Sequence, residues 1–249
     1  MNIAIIPARG GSKRVPLKNI REFQGVPMLT RTIRVLKSAG CFDEIIVSTE
    51  SELVANCAIE EGGVSISWRD PYLAGDSANT VDVIAEELNK LKLSANANIC
   101  CVYAPNPFLH KEAIKLGLRA LDLVPKPDYV SSVTTYPFPI QRSLKIDSGS
   151  ELLQMAQPEY LLTHSQNLDP RFHETAQFWW ARSQTWLDRK PMQLNMRGIY
   201  IPRWMTQDVD TIEDWEQAEV RWKVLEETGG LKNYRFSVAN IIGTENFSE

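Results

Sequence analysis

Short apolar runs alternate along this chain with segments of helical periodicity. Runs of strand length occupy residues 3–6, 45–47, 64–68, 99–103, 129–133, 176–180 and 199–201. Between them, apolar residues recur at intervals of three and four, as at Leu29, Ile33 and Leu36, which predicts amphipathic helices. Further helices are expected around 53–58, 81–91, 114–121 and 212–225. Strands that alternate with helices indicate an α/β fold, a mostly parallel Rossmann-like sheet flanked by helices on both faces.

The alternation is interrupted after Thr134. Two prolines within residues 136–142 are incompatible with a helix interior. Residues 144–146 and 152–155 flank the turn sequence Asp-Ser-Gly-Ser, which predicts a projecting β-hairpin. We therefore expect one main domain over residues 1–228, with an insertion arm at about 136–175. The tail, residues 229–249, carries no recognised motif, and 238–242 is expected to add a strand or to pack on the domain.

Composition narrows the class of protein. The 249 residues are 43% hydrophobic and 23% charged with a net charge of −4, which predicts a soluble globular protein without general affinity for nucleic acid. The sequence contains no apolar run of membrane-spanning length and no signal-peptide pattern at its start, so no membrane partner is expected. Four cysteines without a C-x-x-C pair argue against a zinc site and favour a cytoplasmic location.

The segment after the first predicted strand has the highest density of candidate ligand-binding residues. Residues 7–19 read P-A-R-G-G-S-K-R-V-P-L-K-N, with two adjacent glycines and four cations. Glycines after a strand permit a tight turn whose N–H groups can bind an anion, which suits a nucleoside triphosphate. The segment is neither a P-loop nor G-x-G-x-x-G, which argues against a dehydrogenase. An ordinary basic loop is the alternative, disfavoured by the density of glycine, serine and cations.

A pair of carboxylates precedes the last predicted helix. Asp208 and Asp210 are two positions apart in an extended segment, so their side chains lie on one side of it. Two such carboxylates suit Mg²⁺, which takes oxygen ligands together with substrate phosphates. Aspartates before a helix are equally often simple caps, and Thr211 with Asp214 forms a candidate capping box. From spacing alone, both interpretations stay open.

Residues 7–19, called the phosphate loop below, resemble part of the opening motif I-P-A-R-G-G-S-K-R-x-P-x-K-N of a family of cytidylyltransferases. These enzymes activate nonulosonic acids, and the family includes CMP-sialic acid synthetases and pseudaminic acid cytidylyltransferases. A second family motif, R-P-x-x-L-A-x-D-x-A-[ST]-[ST], is matched at Arg69, Leu73, Ala74, Asp76, Ala78 and Thr80. Asp70 takes the place of the proline after the arginine. The D-[IV]-D-T signature, matched at residues 208–211, makes metal ligation the stronger interpretation of the two aspartates.

The resemblance implies a site for CTP and for one cofactor, Mg²⁺. The implied nucleotide-binding residues are Ala8, Arg9, Gly10, Gly11, Ser12, Lys18, Asn19, Arg69, Ala78 and Thr80. The implied catalytic residues are Arg9, Lys18, Asp208 and Asp210, of which the two aspartates would hold the metal.

The sugar side of the site resembles the pseudaminic branch of the family. Residues 103–108 fit Y-A-x-x-P-F, and residues 164–180 follow the framework R-S-Q-D-L-P then H-D-A-G-Q-F-Y-W, with departures at His164, Asn167 and Glu174. The implied sugar-binding residues are Tyr103, Phe138, Arg142, Gln166, His173, Gln177 and Phe178. Taken without the resemblance, the aromatic run 178–180 is more typical of core packing.

The implied reaction is the transfer of CMP from CTP to the anomeric hydroxyl of a nonulosonic acid with release of pyrophosphate, in cell-surface glycan biosynthesis such as flagellin glycosylation. The resemblance also implies a homodimer in which the arm contacts the partner. Alternatives are a sialic or legionaminic acid enzyme, a Kdo cytidylyltransferase, and a non-catalytic nucleotide-binding subunit. The aromatic block disfavours Kdo, and the intact Arg9, Lys18 and aspartate pair disfavour a non-catalytic role.

Overall fold

The computed structural model describes residues 1–75, 78–230, 234 and 236–239. Of the motif residues, Asp76 lies outside the described residues, as does most of the tail. Within the described part of the chain, no helix combines the length and the apolar character needed to cross a membrane.

The described residues form twelve strands and six helices, which include every predicted strand and helix and add β2, β3 and α5. The strands are β1 Asn2–Pro7, β2 Glu22–Phe23, β3 Val26–Pro27, β4 Glu44–Thr49, β5 Ser65–Trp68, β6 Asn98–Val102, β7 Tyr129–Thr135, β8 Leu144–Ile146, β9 Leu153–Met155, β10 Phe172–Arg182, β11 Met196–Tyr200 and β12 Ser237–Val238. The helices are α1 Met28–Ala39, α2 Glu52–Glu61, α3 Thr80–Leu91, α4 Lys111–Ala120, α5 Ser183–Leu187 and α6 Ile212–Glu227.

Eight strands form one sheet in the order β12-β11-β7-β10-β6-β1-β4-β5. Strands β1, β4, β5 and β6 pair in parallel, as do β7 and β11. Strand β10 runs antiparallel to both of its neighbours, and β12 runs antiparallel to β11. The predicted mostly parallel sheet is therefore confirmed, and β12 places a strand at the start of the predicted segment 238–242.

The two faces of the sheet carry separate cores because strand side chains alternate in direction. Ala4 and Ile6 face α1, α2, α4 and α6, whereas Ile3 and Ile5 face α3 and α5. The aromatic strand divides in the same way: Phe178 and Trp180 belong to the first core and Trp179 to the second. All three aromatic side chains are at most 2% exposed.

The helices begin and end where local sequence predicts. Gly40 ends α1 in the left-handed region at φ 62°, and the Asn79 side chain caps α3. The capping box between Thr211 and Asp214 is formed. The apolar periodicity of these helices would bury Leu53 on α2 and Ile212 on α6, but Leu53 is 58% exposed and Ile212 is 39% exposed. Each residue lies in the first turn of its helix. The buried residues of these helices begin later, at Val54 in α2 and at Trp215 in α6.

Strands β8 and β9 form the predicted hairpin, with Ile146 paired to Leu153 across the turn. Asp147 fixes that turn, since its Oδ1 accepts hydrogen bonds from the backbone N–H groups of Gly149 and Ser150. The hairpin is a separate two-stranded sheet. It therefore does not extend the large sheet.

Candidate active site

A cavity of about 560 Å³ lies at the carboxyl ends of the parallel strands, the edge at which open α/β sheets bind ligands. It brings together residues that are far apart in the sequence. Its lining comes from the loop after β1, the loop after β5, the residues after β6 and the segment before α6. Among the lining residues are Arg9, Ser12, Arg14, Lys18, Asn19, Arg69, Ala78, Thr80, Tyr103 and Asp210.

The phosphate loop is folded against the end of β4. Ala8 is fully buried, and its N–H donates to the Ser48 carbonyl at 2.9 Å. The Gly10 N–H donates to Oε1 of Glu50 at 2.7 Å. A Cβ at Gly10 would lie 2.6 Å from Cβ of Ser51, whereas one at Gly11 would meet no atom within 4 Å. Gly10 is thus required by close packing against the β4–α2 loop, and Gly11 lies in open space beside the cavity.

The Asn19 side chain secures the loop from the other side. Its Nδ2 donates to the Arg9 carbonyl at 2.8 Å, and the residue is only 6% exposed. The loop is therefore held before any ligand binds, which lowers the ordering cost of binding a triphosphate.

The end of the phosphate loop meets the aspartate pair. Lys18 Nζ donates to the Val209 carbonyl at 2.7 Å and lies 3.4 Å from Oδ1 of Asp210. Arg14 Nη2 lies 2.9 Å from the same carboxylate oxygen. Two cations thus neutralise Asp210 at the wall of the cavity.

Asp208 stands beside this cluster. Partial burial raises the pKa of its carboxyl, the Asp210 charge raises it further, and Lys18 opposes both. The described residues contain no group of three or more His, Cys, Asp or Glu side chains arranged to hold a metal ion. Two carboxylates alone nevertheless fit Mg²⁺, which keeps water and phosphate oxygens as its other ligands. The donor set therefore suits a metal that arrives with a nucleotide.

Arg69 also lines the cavity and is buried, at 7% exposed. Its Nε donates to Ser48 Oγ at 3.1 Å and its Nη2 to the Ser48 carbonyl at 2.6 Å. Burial lowers the pKa of the guanidinium, and the charges of Glu50 and Glu87 partly offset that effect. Asp70, which departs from the family motif, accepts the N–H of Tyr72 and caps a short 3₁₀ turn. Asp70 therefore stabilises this turn through a side-chain hydrogen bond, at a position where the family motif has a proline that restricts the backbone.

Tyr103 joins the two halves of the candidate site. Its hydroxyl lies 2.8 Å from Oγ1 of Thr80, and burial raises the pKa of the phenol. Tyr103 and Thr80 both line the cavity, so this hydrogen bond holds the tyrosine ring beside the nucleotide-binding residues.

The other implied sugar-binding residues lie outside this cavity. Phe138, Arg142 and Gln166 are exposed on the arm, where the Arg142 guanidinium donates to the Thr163 carbonyl. Gln177 and Phe178 are fully buried, and Gln177 Nε2 donates to the Met205 carbonyl. The structure therefore brings the nucleotide set together within one chain and leaves the sugar set dispersed.

His173 lines a second, larger groove of about 880 Å³, together with Tyr136 and Glu174. Its ring packs against Tyr136 with centroids 4.8 Å apart, and its Nδ1 lies 2.9 Å from the Glu174 carbonyl. The Glu174 carboxylate accepts the Ala176 N–H at 2.7 Å and so holds the irregular section of β10. Glu174, a departure from the family motif, thus has a local structural partner.

Sequence reasoning missed Ser48, Glu50 and Glu87, which hold the loop and Arg69. A usable signal existed for Glu50, a carboxylate directly after an apolar strand and therefore at the ligand-binding edge of the sheet. Ser48 gave a weaker signal, as a hydroxyl directly after the apolar run 45–47.

Comparison with known proteins agrees with this geometry. The family model described as Cytidylyltransferase matches residues 3–184. The pseudaminic acid cytidylyltransferase of Campylobacter jejuni serotype O:2 is 30% identical over 230 residues, which cover 91% of this chain and 98% of that protein. The CMP-N,N'-diacetyllegionaminic acid synthase of Legionella pneumophila is 27% identical and covers 87% of this chain and 94% of its own.

Among solved structures, a CMP:2-keto-3-deoxy-manno-octonic acid synthetase complexed with CTP superposes with a TM-score of 0.66 at 16% identity, covering 91% of this chain and 99% of that one. At that identity the likeness shows the fold alone. The family model spans most of the chain, and the Campylobacter relative matches along nearly its whole length. The chain therefore belongs to the cytidylyltransferase family.

Proposed function

We propose that this protein transfers CMP from CTP to the anomeric hydroxyl of a nonulosonic acid, with pseudaminic acid as the substrate, and releases pyrophosphate. The observation that carries the proposal is the convergence of the phosphate loop, Arg69 and Asp210 on one cavity. Relatives named for pseudaminic acid and for diacetyllegionaminic acid support a nonulosonic acid as the acceptor.

In this reaction the anomeric oxygen attacks the α-phosphorus, and the bond between that phosphorus and the bridging oxygen breaks. Pyrophosphate leaves with the electron pair, so negative charge grows on the β-phosphate. Arg9 and Lys18 lie in the lining of the cavity where they would neutralise that charge. Preorganised cations matter most here because the catalytic work is positioning and electrostatic stabilisation.

The nucleotide would be held at both ends. Backbone N–H groups at Gly11 and Ser12 would bind phosphate oxygens, and Arg69 with Asn19 would hold the nucleoside. The Gly10 N–H is already bonded to Glu50, so its use by a phosphate requires that carboxylate to move.

Asp208 and Asp210 would hold Mg²⁺. When bound, the metal supplies positive charge to the phosphates and lowers the pKa of an oxygen ligand. The Arg14 and Lys18 contacts to Asp210 keep that carboxylate in position in the absence of a nucleotide. A triphosphate would then compete for the same cations.

We further propose that the chain acts as a homodimer in the cytoplasm and that the arm contacts the partner. The arm exposes large apolar side chains, among them Phe138 at 80%, Ile146 at 70% and Leu162 at 91%. Apolar groups so concentrated are typical of a protein–protein contact. A partner would also bring arm residues such as Arg142 toward a sugar site that one chain leaves incomplete.

The function is tested by pyrophosphate release from CTP and Mg²⁺ with pseudaminic, legionaminic, sialic or Kdo acid as the acceptor. We expect release with pseudaminic acid and formation of the CMP-sugar in equal amount. Release with Kdo alone would contradict the proposed acceptor, and CTP binding without release for any acceptor would favour a non-catalytic subunit.

A further inference from the structure

Glu87 is a buried carboxylate in the middle of α3 that takes no part in the proposed reaction. It is 1% exposed, and a buried carboxylate is costly unless its oxygens are hydrogen-bonded. Both oxygens have partners here. Oε1 accepts the Ser48 hydroxyl at 2.8 Å and lies 3.3 Å from Lys90 Nζ, while Oε2 accepts the Ser67 hydroxyl.

The two serines are register partners. Ser48 on β4 pairs directly with Ser67 on β5, so their side chains project from the same face of the sheet. Glu87 bridges them with one oxygen each. The carboxylate therefore joins α3 to two neighbouring strands near the ligand-binding edge.

From Ser48 the connection continues to Arg69. A serine hydroxyl has a single proton, and Ser48 donates it to Glu87, which leaves its oxygen free to accept the Arg69 Nε–H at 3.1 Å. The Ser48 carbonyl accepts Arg69 Nη2 and also the N–H of Ala8 at the start of the phosphate loop. Ser48 thus orients the Arg69 guanidinium through its hydroxyl oxygen and its carbonyl oxygen. The direction of the Ser48 hydroxyl in turn depends on the Glu87 carboxylate that accepts its proton.

We propose that Glu87 is a positioning residue for the nucleotide: acting through Ser48, it fixes the guanidinium of Arg69 in the cavity wall and thereby sets the affinity for CTP. The inference rests on the proposed function, because it takes CTP as the ligand of this cavity. Without the Glu87 acceptor, the Ser48 hydroxyl turns elsewhere, and Arg69 keeps only the backbone carbonyl, about which its side chain can rotate.

The test compares Ser48→Ala with Ser67→Ala. Both changes remove one hydroxyl bonded to the same carboxylate, but only Ser48 contacts Arg69. Loss of one hydrogen bond that orients a buried charge should weaken CTP binding about tenfold in Ser48→Ala. Calorimetric titration with CTP measures this, and kcat at saturating CTP should stay within about twofold because the phosphate chemistry is untouched. Ser67→Ala should change the CTP dissociation constant by less than about twofold, since the path from Glu87 to Arg69 remains.

Two further measurements separate positioning from general destabilisation. Inhibition by inorganic tripolyphosphate should be equal in the wild type and in Ser48→Ala, because Arg69 holds the nucleoside and not the phosphates. In an Arg69→Ala background, Ser48→Ala should cause no further loss of CTP affinity, the non-additivity expected of residues that act through one another. Glu87→Leu, which leaves the Ser48 hydroxyl without this acceptor, should weaken CTP binding in the same direction as Ser48→Ala.

The outcomes distinguish this inference from the proposed function. If the wild type binds CTP and Ser48→Ala binds it equally well, or if Ser67→Ala loses as much affinity as Ser48→Ala, the positioning role is overturned and the proposed function stands. A parallel loss of tripolyphosphate inhibition would also overturn it, because the change would then have disturbed the phosphate loop. A wild-type protein that does not bind CTP would overturn both.

Discussion

Lys18 and Asp210 lie within 3.4 Å of each other, although they are separated by 192 positions in the sequence. Lys18 also donates a hydrogen bond to the carbonyl of Val209, a residue whose side chain is fully buried. The phosphate loop and the aspartate segment are therefore held as one unit by contacts that exist before substrate binds. If the proposed reaction takes place in this cavity, the same contacts would hold the ammonium group close to the phosphates.

Lys18→Ala should lower kcat far more than it weakens CTP binding. Loss of one preorganised donor to developing charge typically costs about 3 kcal/mol, or roughly a hundredfold in rate. Steady-state kinetics with CTP and the preferred sugar provide the measurement. Lys13→Ala is a suitable comparison, since it removes another ammonium group from the lining of the same cavity. A kcat close to that of the wild type in Lys18→Ala would remove Lys18 from the catalytic set.

Asp208→Asn and Asp210→Asn should each reduce turnover by about a hundredfold or more while the protein remains folded, because each removes a charged metal ligand. Glu213→Gln is a matched control: it removes an exposed carboxylate three positions from Asp210, in the first turn of α6. The measurement is pyrophosphate release over a titration of Mg²⁺. Because Thr211 and Asp214 already cap α6, a purely structural role for Asp208 and Asp210 would leave turnover intact in both variants.

Gly10→Ala should weaken CTP binding at least ten times more than Gly11→Ala. The added methyl group at Gly10 would lie 2.6 Å from Cβ of Ser51, so the loop must shift, whereas at Gly11 it meets open space. Small displacements of groups that position a substrate are costly to the reaction. Calorimetric titration of both variants with CTP provides the comparison. Equal losses would mean that the ligand and not Ser51 limits the space beside the loop.

The arm should be required for dimerisation. Ile146→Lys places a charge on a side chain that is 70% exposed on the hairpin, and Ile59→Lys does the same at a 60% exposed side chain on α2. Burying an unpaired ammonium in an interface is strongly unfavourable. Light scattering should therefore give the mass of a dimer for the wild type and Ile59→Lys and that of a monomer for Ile146→Lys. A dimer in all three would exclude the arm as the contact.

Much of the fold, and the meeting of the motif residues at one cavity, were predictable because they depend on local pattern. The apolar runs predicted the parallel strands, and the motif residues after β1 and β5 converge because the carboxyl ends of parallel strands share one edge. Chain periodicity cannot reveal a polar group that is buried by tertiary contacts. Glu87 occupies the apolar face of α3 between Ile84 and Leu88, where its carboxylate is explained only by Ser48 and Ser67 from other strands.

The implied sugar-binding residues show a second limit of sequence analysis, because a matched motif does not reveal where its side chains lie in the fold. Gln177 and Phe178 match a family motif, but strand alternation and the packing of α4 against β10 place Phe178 in the core. Phe138 and Arg142 lie on an arm whose surroundings in a dimer come from a second chain. Sequence matching named these positions without the information on which of them faces a ligand.

We expect pseudaminic acid to be preferred over sialic acid by roughly a hundredfold in kcat/KM, and Tyr103 to contribute to that preference. Sialic acid ends in a hydroxylated three-carbon chain, whereas the pseudaminic type ends in a methyl group and carries an additional acylated amine. Tyr103 lines the cavity with an aromatic ring, at a position where the family resemblance implies a glutamine in sialic acid enzymes. Each hydroxyl left unpaired against that ring costs about 1–3 kcal/mol, so two such losses account for the expected ratio.

Tyr103→Gln should therefore narrow the preference by improving turnover of sialic acid, because an amide restores hydrogen-bond partners for its hydroxyls. Tyr103→Phe is the matched control: it keeps the ring and removes only the hydroxyl that lies 2.8 Å from Thr80 Oγ1, so the preference should persist even if CTP binds more weakly. Competition assays with both sugars and saturating CTP give the ratio of kcat/KM directly. Equal kcat/KM for the two sugars in the wild type would show that the pseudaminic assignment is wrong. If the ratio of kcat/KM is the same in Tyr103→Gln as in the wild type, residues other than Tyr103 discriminate between the sugars.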